Sequence, residues 1–260
     1  MKALLYTQEA HGIGSHLRYL GPQLEENGGC AVEVGMRIKD AQQAYNHYKV
    51  FWSKQTRLET KRIIFKNMVL SILISGMISL NCTKTDEMRL HRKMMALARR
   101  SLAGKATIRS NDGEHMIKKP EREILKMLRI GTFSVELNIA RLQFWQRIFR
   151  ALDYHQQVIT AMFGKFPFDK DGEDFRKHSR FVELQKGLDL MQHYDSLNDL
   201  WIDLGDPVQL LFDEKLRERF TQADFKIMRI SLWSVAIPLT SMSEEAKIEV
   251  DVQNDDVGEF

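Results

Sequence analysis

A mainly helical bundle, led by a short β-ribbon and followed by an acidic tail, is the fold this sequence predicts. Three observations carry that expectation. Apolar residues recur at steps of three and four along most of the chain beyond residue 30. Strand-like alternation with turn signals is confined to residues 17–29. Helix punctuation falls between the periodic stretches, at Thr83, Gly104, Pro120 and Gly164.

The elements follow in order. Residues 17–20 (LRYL), a Gly21-Pro22 turn, Gln23-Leu24 and an Asn27-Gly28-Gly29 turn read as a hairpin-like ribbon. Ala31, Val34, Ile38, Ala41, Tyr45, Tyr48 and Trp52 form one stripe of a helix running to about Ser53. A second helix is expected from about Leu58 to Leu80, polar at its start and central to the core later. Thr83-Lys84-Thr85-Asp86 has capping-box spacing and opens a third helix, with Leu90, Met94, Leu97 and Leu102 inward. Residues 108–119 read as a polar loop, and Pro120 takes the first helical position of EREILKMLRI. Residues 133–152 form a helix with Leu137, Ala140, Phe144 and Ile148 as its stripe, and residues 156–163 continue helically. Further helices are expected around residues 181–201, 208–220 and 225–235. From Ser241 onward seven acidic residues face only Lys247, the composition of a disordered tail.

At 260 residues, with 43% hydrophobic and 28% charged residues, the chain has the composition of a globular protein. Cys30 and Cys82 are its only cysteines, so no disulfide framework is implied. The start, MKALLYTQEAHG, lacks the apolar stretch of a secretory signal, and the run at residues 68–80 is too short to span a bilayer. An intracellular chain, cytoplasmic or nuclear and without a membrane role, is therefore expected. The net charge of +3 hides an asymmetry. Residues 1–150 carry 26 Lys and Arg against 13 Asp and Glu, a balance of +13. Residues 151–260 carry 12 against 22, a balance of −10. Such a split suits a polyanion-binding half, although basic helix faces also serve simply to keep a protein solvated.

Six short motifs, in order and at consistent spacing, then point to a family. They are Arg18-Tyr19-Leu20-Gly21, Asn27-Gly28-Gly29-Cys30, EVGMRIKDAQQAYNHYKVFW, TKRIIFKNMVLSILISG, TDEMRLHRKMMALARRSLAGKAT and ELNIARLQFWQRIFR. Together, residues 17–150 resemble the segment that follows the catalytic palm in reverse transcriptases of non-LTR (LINE-type) retrotransposons. The chain departs from that pattern where the family reads LLYG-ETW: here Ser75, Ile78 and Leu80 replace the Tyr, Glu and Trp. It also lacks the Gly-His before the final Arg of the last motif, having Gln146-Arg147-Ile148 there. The resemblance implies a primer-grip ribbon around Tyr19 followed by a thumb-like helical bundle. It also implies a truncated, diverged and non-catalytic piece of an RNA-directed DNA polymerase, because the family's catalytic carboxylates lie upstream in a (Y/F)-x-D-D hairpin.

No chemistry is legible in the residues themselves. The sole Asp-Asp pair, Asp255-Asp256, sits in the acidic tail without flanking apolar strands. The histidines lack zinc-ligand spacing, neither cysteine has a His placed to activate it, and Gly12-Ile13-Gly14 is no phosphate loop. No enzyme activity, cofactor, metal or small-molecule substrate is expected. What remains is binding to an RNA–DNA or DNA duplex, nonspecifically, through lysine and arginine. The candidate residues are Tyr19, Lys61, Arg62, Lys66, Arg89, Arg92, Lys93, Arg99, Arg100 and Lys105. Trp52, Phe144 and Trp145 lie on apolar stripes and are expected in the core. The alternative is a helical protein–protein interaction module, its basic half meeting an acidic partner or its own acidic tail, with the acidic C-terminal region open to a protein partner. A working polymerase would need the palm from another chain. The expected organisation is a ribbon over 1–29, a basic thumb-like domain over 30–165, an acidic helical extension over 166–240 and a tail over 241–260.

Overall fold

Helix α1 (Ala31–His47) forms because its buried positions, Val34, Ala41 and Tyr45, fall on one side at helical spacing. The computed structural model describes residues 16–18, 23–25, 30–54, 56–80, 82–109, 115–151, 179–205 and 209–229. The helix does not run unbroken to Ser53. It breaks at Tyr48, whose N–H bonds Tyr45 O, and resumes as α2 (Lys49–Ser53). A side chain explains the break: the Trp52 indole N–H donates to Tyr45 O at 3.0 Å, and the two rings stack at 5.5 Å. Ahead of α1, β1 (His16–Arg18) pairs antiparallel with β2 (Gln23–Glu25), Leu17 opposite Leu24. The expected ribbon is there. Tyr19, both turns, the helix at 156–163, the composition change at 164–173 and the tail from 241 lie outside the described residues.

The second helix is more divided than its sequence suggests. It runs as α3 (Leu58–Ile64), a π-helical stretch (Phe65–Leu70) and α4 (Ser71–Ile74), then turns at Gly76 into a 3-10 turn (Met77–Ser79). In the π stretch the Ser71 N–H reaches back five residues to Lys66 O. Gly76 stands at φ 83°, and a Cβ there would meet Glu33 Oε1 at 2.9 Å, so only glycine fits. Phe65, Val69, Leu70, Leu73 and Met77 are buried, whereas Met68, Ser71 and Ser75 face outward. By length and composition Leu58–Ser79 is apolar enough to cross a membrane. In this fold its inner side belongs to a core.

Helix α5 (Lys84–Leu102) starts where expected: Thr83 Oγ1 accepts the Asp86 N–H at 3.1 Å. The Asp86 carboxylate takes the Thr83 hydroxyl at 2.6 Å and the Cys30 thiol at 3.4 Å. Leu90, Met94, Leu97 and Leu102 are all buried. A 3-10 turn (Ala103–Ala106) follows, with Ala103 at φ 48°. Where a polar loop is expected there is a hairpin, β3 (Thr107–Arg109) against β4 (Met116–Lys118). Pro120 is the N-cap of α6 (Glu121–Leu128), one place before the position expected of it.

Helix α7 (Phe133–Arg150) is capped by Thr132, whose hydroxyl accepts the Val135 N–H. It is not a one-stripe helix. Leu137 and Ile148 are buried but Ala140 and Phe144 are only partly so, while Phe133, Val135, Ile139, Leu142, Trp145 and Phe149 are buried on other sides. The reason is that α7 lies between two apolar cores. Phe133 and Leu137 join a core built from α1 to α6. Val135, Ile139, Leu142, Trp145, Ile148 and Phe149 join a second, built with α8 (Ser179–Asp189), a 3-10 turn (Leu190–His193), α9 (Asp195–Leu204), α10 (Gln209–Phe212) and α11 (Glu214–Gln222). Trp145 stacks on Phe149 at 5.7 Å, and Phe149 meets Phe220 edge-on at 5.8 Å. The single helix expected over 208–220 is split by Asp213, whose carboxylate caps α11 by accepting the Leu216 N–H. The fold is thus mainly helical, with two two-stranded ribbons among the described residues.

Buried polar groups stitch these parts together. The Lys61 ammonium, 4% exposed, donates to Trp52 O at 2.7 Å and Ser101 O at 3.2 Å, so it caps the carbonyl ends of α2 and α5 at once. Lys61→Met keeps the stem but strands both carbonyls. It should cost about 2–3 kcal/mol, the loss of charge-assisted bonds to buried acceptors, as read from urea denaturation.

Candidate nucleic-acid interface

The candidate cations divide according to where the helices point them. On α5, Arg89, Arg92, Lys93, Arg99 and Arg100 fall within one sector of about 120° opposite the buried Leu90, Met94 and Leu97, because residues three and four apart share a face. Ala96 is exposed at the middle of that sector. From Arg89 to Arg100 the strip is about 16 Å long at 1.5 Å per residue. Lys105, exposed in the turn after α5, follows its C-terminal end.

Not every cation of the strip is equally available. Arg92, Arg100 and Lys105 are exposed. Arg89 is half-exposed and 3.6 Å from Asp86 Oδ1, a weak surface pair. The Lys93 ammonium donates to Gln42 Oε1 of α1 at 2.7 Å. Its pKa is held below the ordinary lysine value by partial burial and then by Arg100. Arg99 donates to Lys119 O at 2.6 Å, fastening the base of the β3–β4 hairpin to α5.

Three candidates lie apart from the strip. Lys61 is inside, as described, its pKa lowered by burial and then by Lys105. Arg62 donates to Met127 O near the end of α6 at 2.6 Å and pairs with Glu59 at 2.5 Å. Lys66 sits half-buried on the π stretch, its pKa lowered by burial and by Arg229, with Glu136 opposing. Glu136 is itself buried, accepts the Gly131 N–H at 2.7 Å and is bridged by Arg229 at 2.6 and 2.7 Å. Tyr19 lies outside the described residues.

Two basic residues close to the strip escaped the sequence reading: Arg109 on β3 and Lys118 on β4, both exposed. The signal that could have found them is the matched Thr-Ile-Arg and Met-Ile-Lys triplets around a Asn-Asp-Gly turn sequence. Trp52 and Trp145 are buried, and Phe144 is partly buried.

Among the described residues no group of three His, Cys, Asp or Glu could hold a metal ion. The thiols of Cys30 and Cys82 are buried at 3% and 7% exposure. Burial raises the pKa of both, with Asp86 adding to the rise at Cys30. Native protein should therefore release almost no signal to an aromatic disulfide reagent, with both thiols reacting once denaturant is added; fast reaction of either in the native state would contradict this burial.

His91 ties α5 to the helices beyond it. Its Nδ1 accepts the Phe133 N–H at 3.2 Å and its Nε2 faces Glu121 Oε1 at 2.8 Å. The His91 hydrogen bond holds the Glu121 pKa below the ordinary carboxylate value, against a desolvation effect that raises it. A depressed carboxylate pKa means stability that is present above the unfolded value, near 4.5, and lost as pH falls through the folded value. Because Glu121 is 45% exposed, the contribution is below about 1 kcal/mol. The stability gap between wild type and Glu121→Gln should be flat above pH 5 or so and close on acidification, as thermal unfolding across pH would show.

No protein-family model, no curated protein and no solved structure matches the chain.

Proposed function

We propose that the chain is a non-catalytic module that binds a nucleic-acid duplex, RNA–DNA or DNA, without sequence preference, as a diverged thumb-like fragment of a non-LTR reverse transcriptase would. The observation that carries this reading is the basic sector of α5, continued by Lys105, Arg109 and Lys118. Helix cations in a row suit phosphates, which need charge and reach rather than base-reading geometry. Binding comes from release of condensed counterions, so it is sequence-tolerant and steeply salt-dependent.

A second reading, a helical protein-interaction module, is favoured by Ile202 and Phe212. They are 59% and 56% exposed on α9 and α10, within the acidic half of the chain. The two readings part on salt.

Titrating the purified chain against an RNA–DNA hybrid over a salt series should give a log–log slope of about −0.9 for each phosphate neutralised. Arg92→Ala and Arg100→Ala should each flatten that slope by about 1, whereas Arg62→Ala should leave it unchanged. Binding that ignores salt, or is absent at low salt, would sink the duplex-binding reading and leave the interaction module.

A further inference from the structure

The described hydrogen bonds that hold the β3–β4 hairpin lie at its base, and the hairpin exposes apolar side chains on both faces. Ile108 is directly opposite Ile117 in the register, so the two share a face. Their exposures are 42% and 49%, and Met116, on the other face opposite Arg109, is 63% exposed. The anchor consists of the Lys119 N–H on Ala106 O at 2.9 Å and the Arg99 guanidinium on Lys119 O at 2.6 Å. A two-stranded ribbon is marginal by itself, and three large apolar side chains in water make it more so.

Charge selects the occupant. The charged residues of the two strands, Arg109 and Lys118, are basic, as are Lys105 and Lys119 leading into and out of them, while the sequence joining the strands carries Asp112 and Glu114. Arg99 ties the base of the ribbon to the α5 strip. A second copy packed ribbon to ribbon would bring like charge against like. A linear polyanion that also presents apolar planar faces fits both parts, and that is a nucleic acid with its stacked bases. Aliphatic side chains delivered to a base step by flanking cations act as wedges, and partly unstack the step.

We propose that Ile108 and Ile117 form an apolar wedge that enters a base step of the duplex bound along α5. This rests on the duplex-binding reading above and adds to it a distortion of the ligand that phosphate contacts alone would not produce. Both isoleucines are exposed, so their replacement leaves the cores untouched.

The experiment uses the full chain and an RNA–DNA hybrid carrying 2-aminopurine, read by fluorescence together with a salt series. Wild-type protein should raise the fluorescence severalfold. The Ile108→Ser/Ile117→Ser double variant, checked by circular dichroism, should lose that rise and about tenfold in affinity while keeping the salt slope. Salt-dependent wild-type binding without a fluorescence rise, or a rise that the double variant retains, would overturn the wedge and leave duplex binding standing. Absence of salt-dependent binding would overturn both. Tighter wild-type binding to phosphatidylserine vesicles than to the hybrid, or a wild-type dimer that the double variant loses, would overturn the wedge in favour of a lipid surface or a second copy.

Discussion

Helix α7 has little solvent-facing surface, and that constraint governs how the remaining elements are arranged. A helix wrapped on both sides must satisfy every polar side chain it carries without help from water, because an unpaired buried group costs more than a paired one gains. Of its buried polar residues, Glu136, Arg141 and Gln146 reach segments outside the helix, as does Arg150 at its exposed end, while Asn138 bonds back to Ser134 O. Arg141 donates to Leu80 O at 2.9 Å, at the end of the 3-10 turn. Glu136 holds Gly131 and Arg229. Gln146 donates to Phe220 O and Ala223 O at 2.9 and 2.8 Å, and Arg150 to Thr221 O at 2.6 Å. The two apolar cores are thus joined through one helix whose polar groups need both of them in place. Melting either side strands charges on the other, which couples segments far apart in sequence.

Cations at helix carbonyl ends recur throughout the fold. Lys61 closes α2 and α5, Arg62 closes α6, and Arg150 with Gln146 closes α11. The last carbonyls of a helix have no partner of their own and carry the negative end of its dipole, so a reaching cation satisfies both needs. Part of the chain's basic composition is therefore structural. Lys61 and Lys105 are the same residue type and contribute equally to a charge count, yet one is sealed between two helix ends and the other is open to water. Helical spacing could sort the residues of α5 onto a face. It could not reveal that Lys61 faces a cleft created by two distant helix ends, because that cleft exists only after folding.

The same division explains what the sequence made legible. Helix α5 was readable because cap, stripe and basic face agreed, and a single core meets its apolar side. The stripe expected of α7 holds at Leu137 and Ile148 but misses the residues buried on its other sides, because periodicity reports the direction of one core and α7 has two. The break at Tyr48 has no Gly or Pro to announce it; its cause is the Trp52 indole taking a carbonyl from the helix ladder. The β3–β4 hairpin was hidden for the opposite reason. Strands of three residues exposed on both faces leave no alternation to detect.

The π-helical stretch at Phe65–Leu70 bears on how this chain tolerates change in length. A wider turn holds one residue more than an α-helical turn between the same two flanking faces. Phe65 and Val69 on one side of it and Leu73 beyond it all still reach the first core. The surplus residue is carried as a bulge rather than passed along the helix as a rotation. Loss of one residue from this stretch would then tighten it to ordinary α geometry and leave Leu73 and Met77 pointing inward, whereas the same loss from α5 would turn its basic face toward the core. Deletion tolerance is thus local: one turn of the second helix can absorb a lost codon that its neighbours cannot.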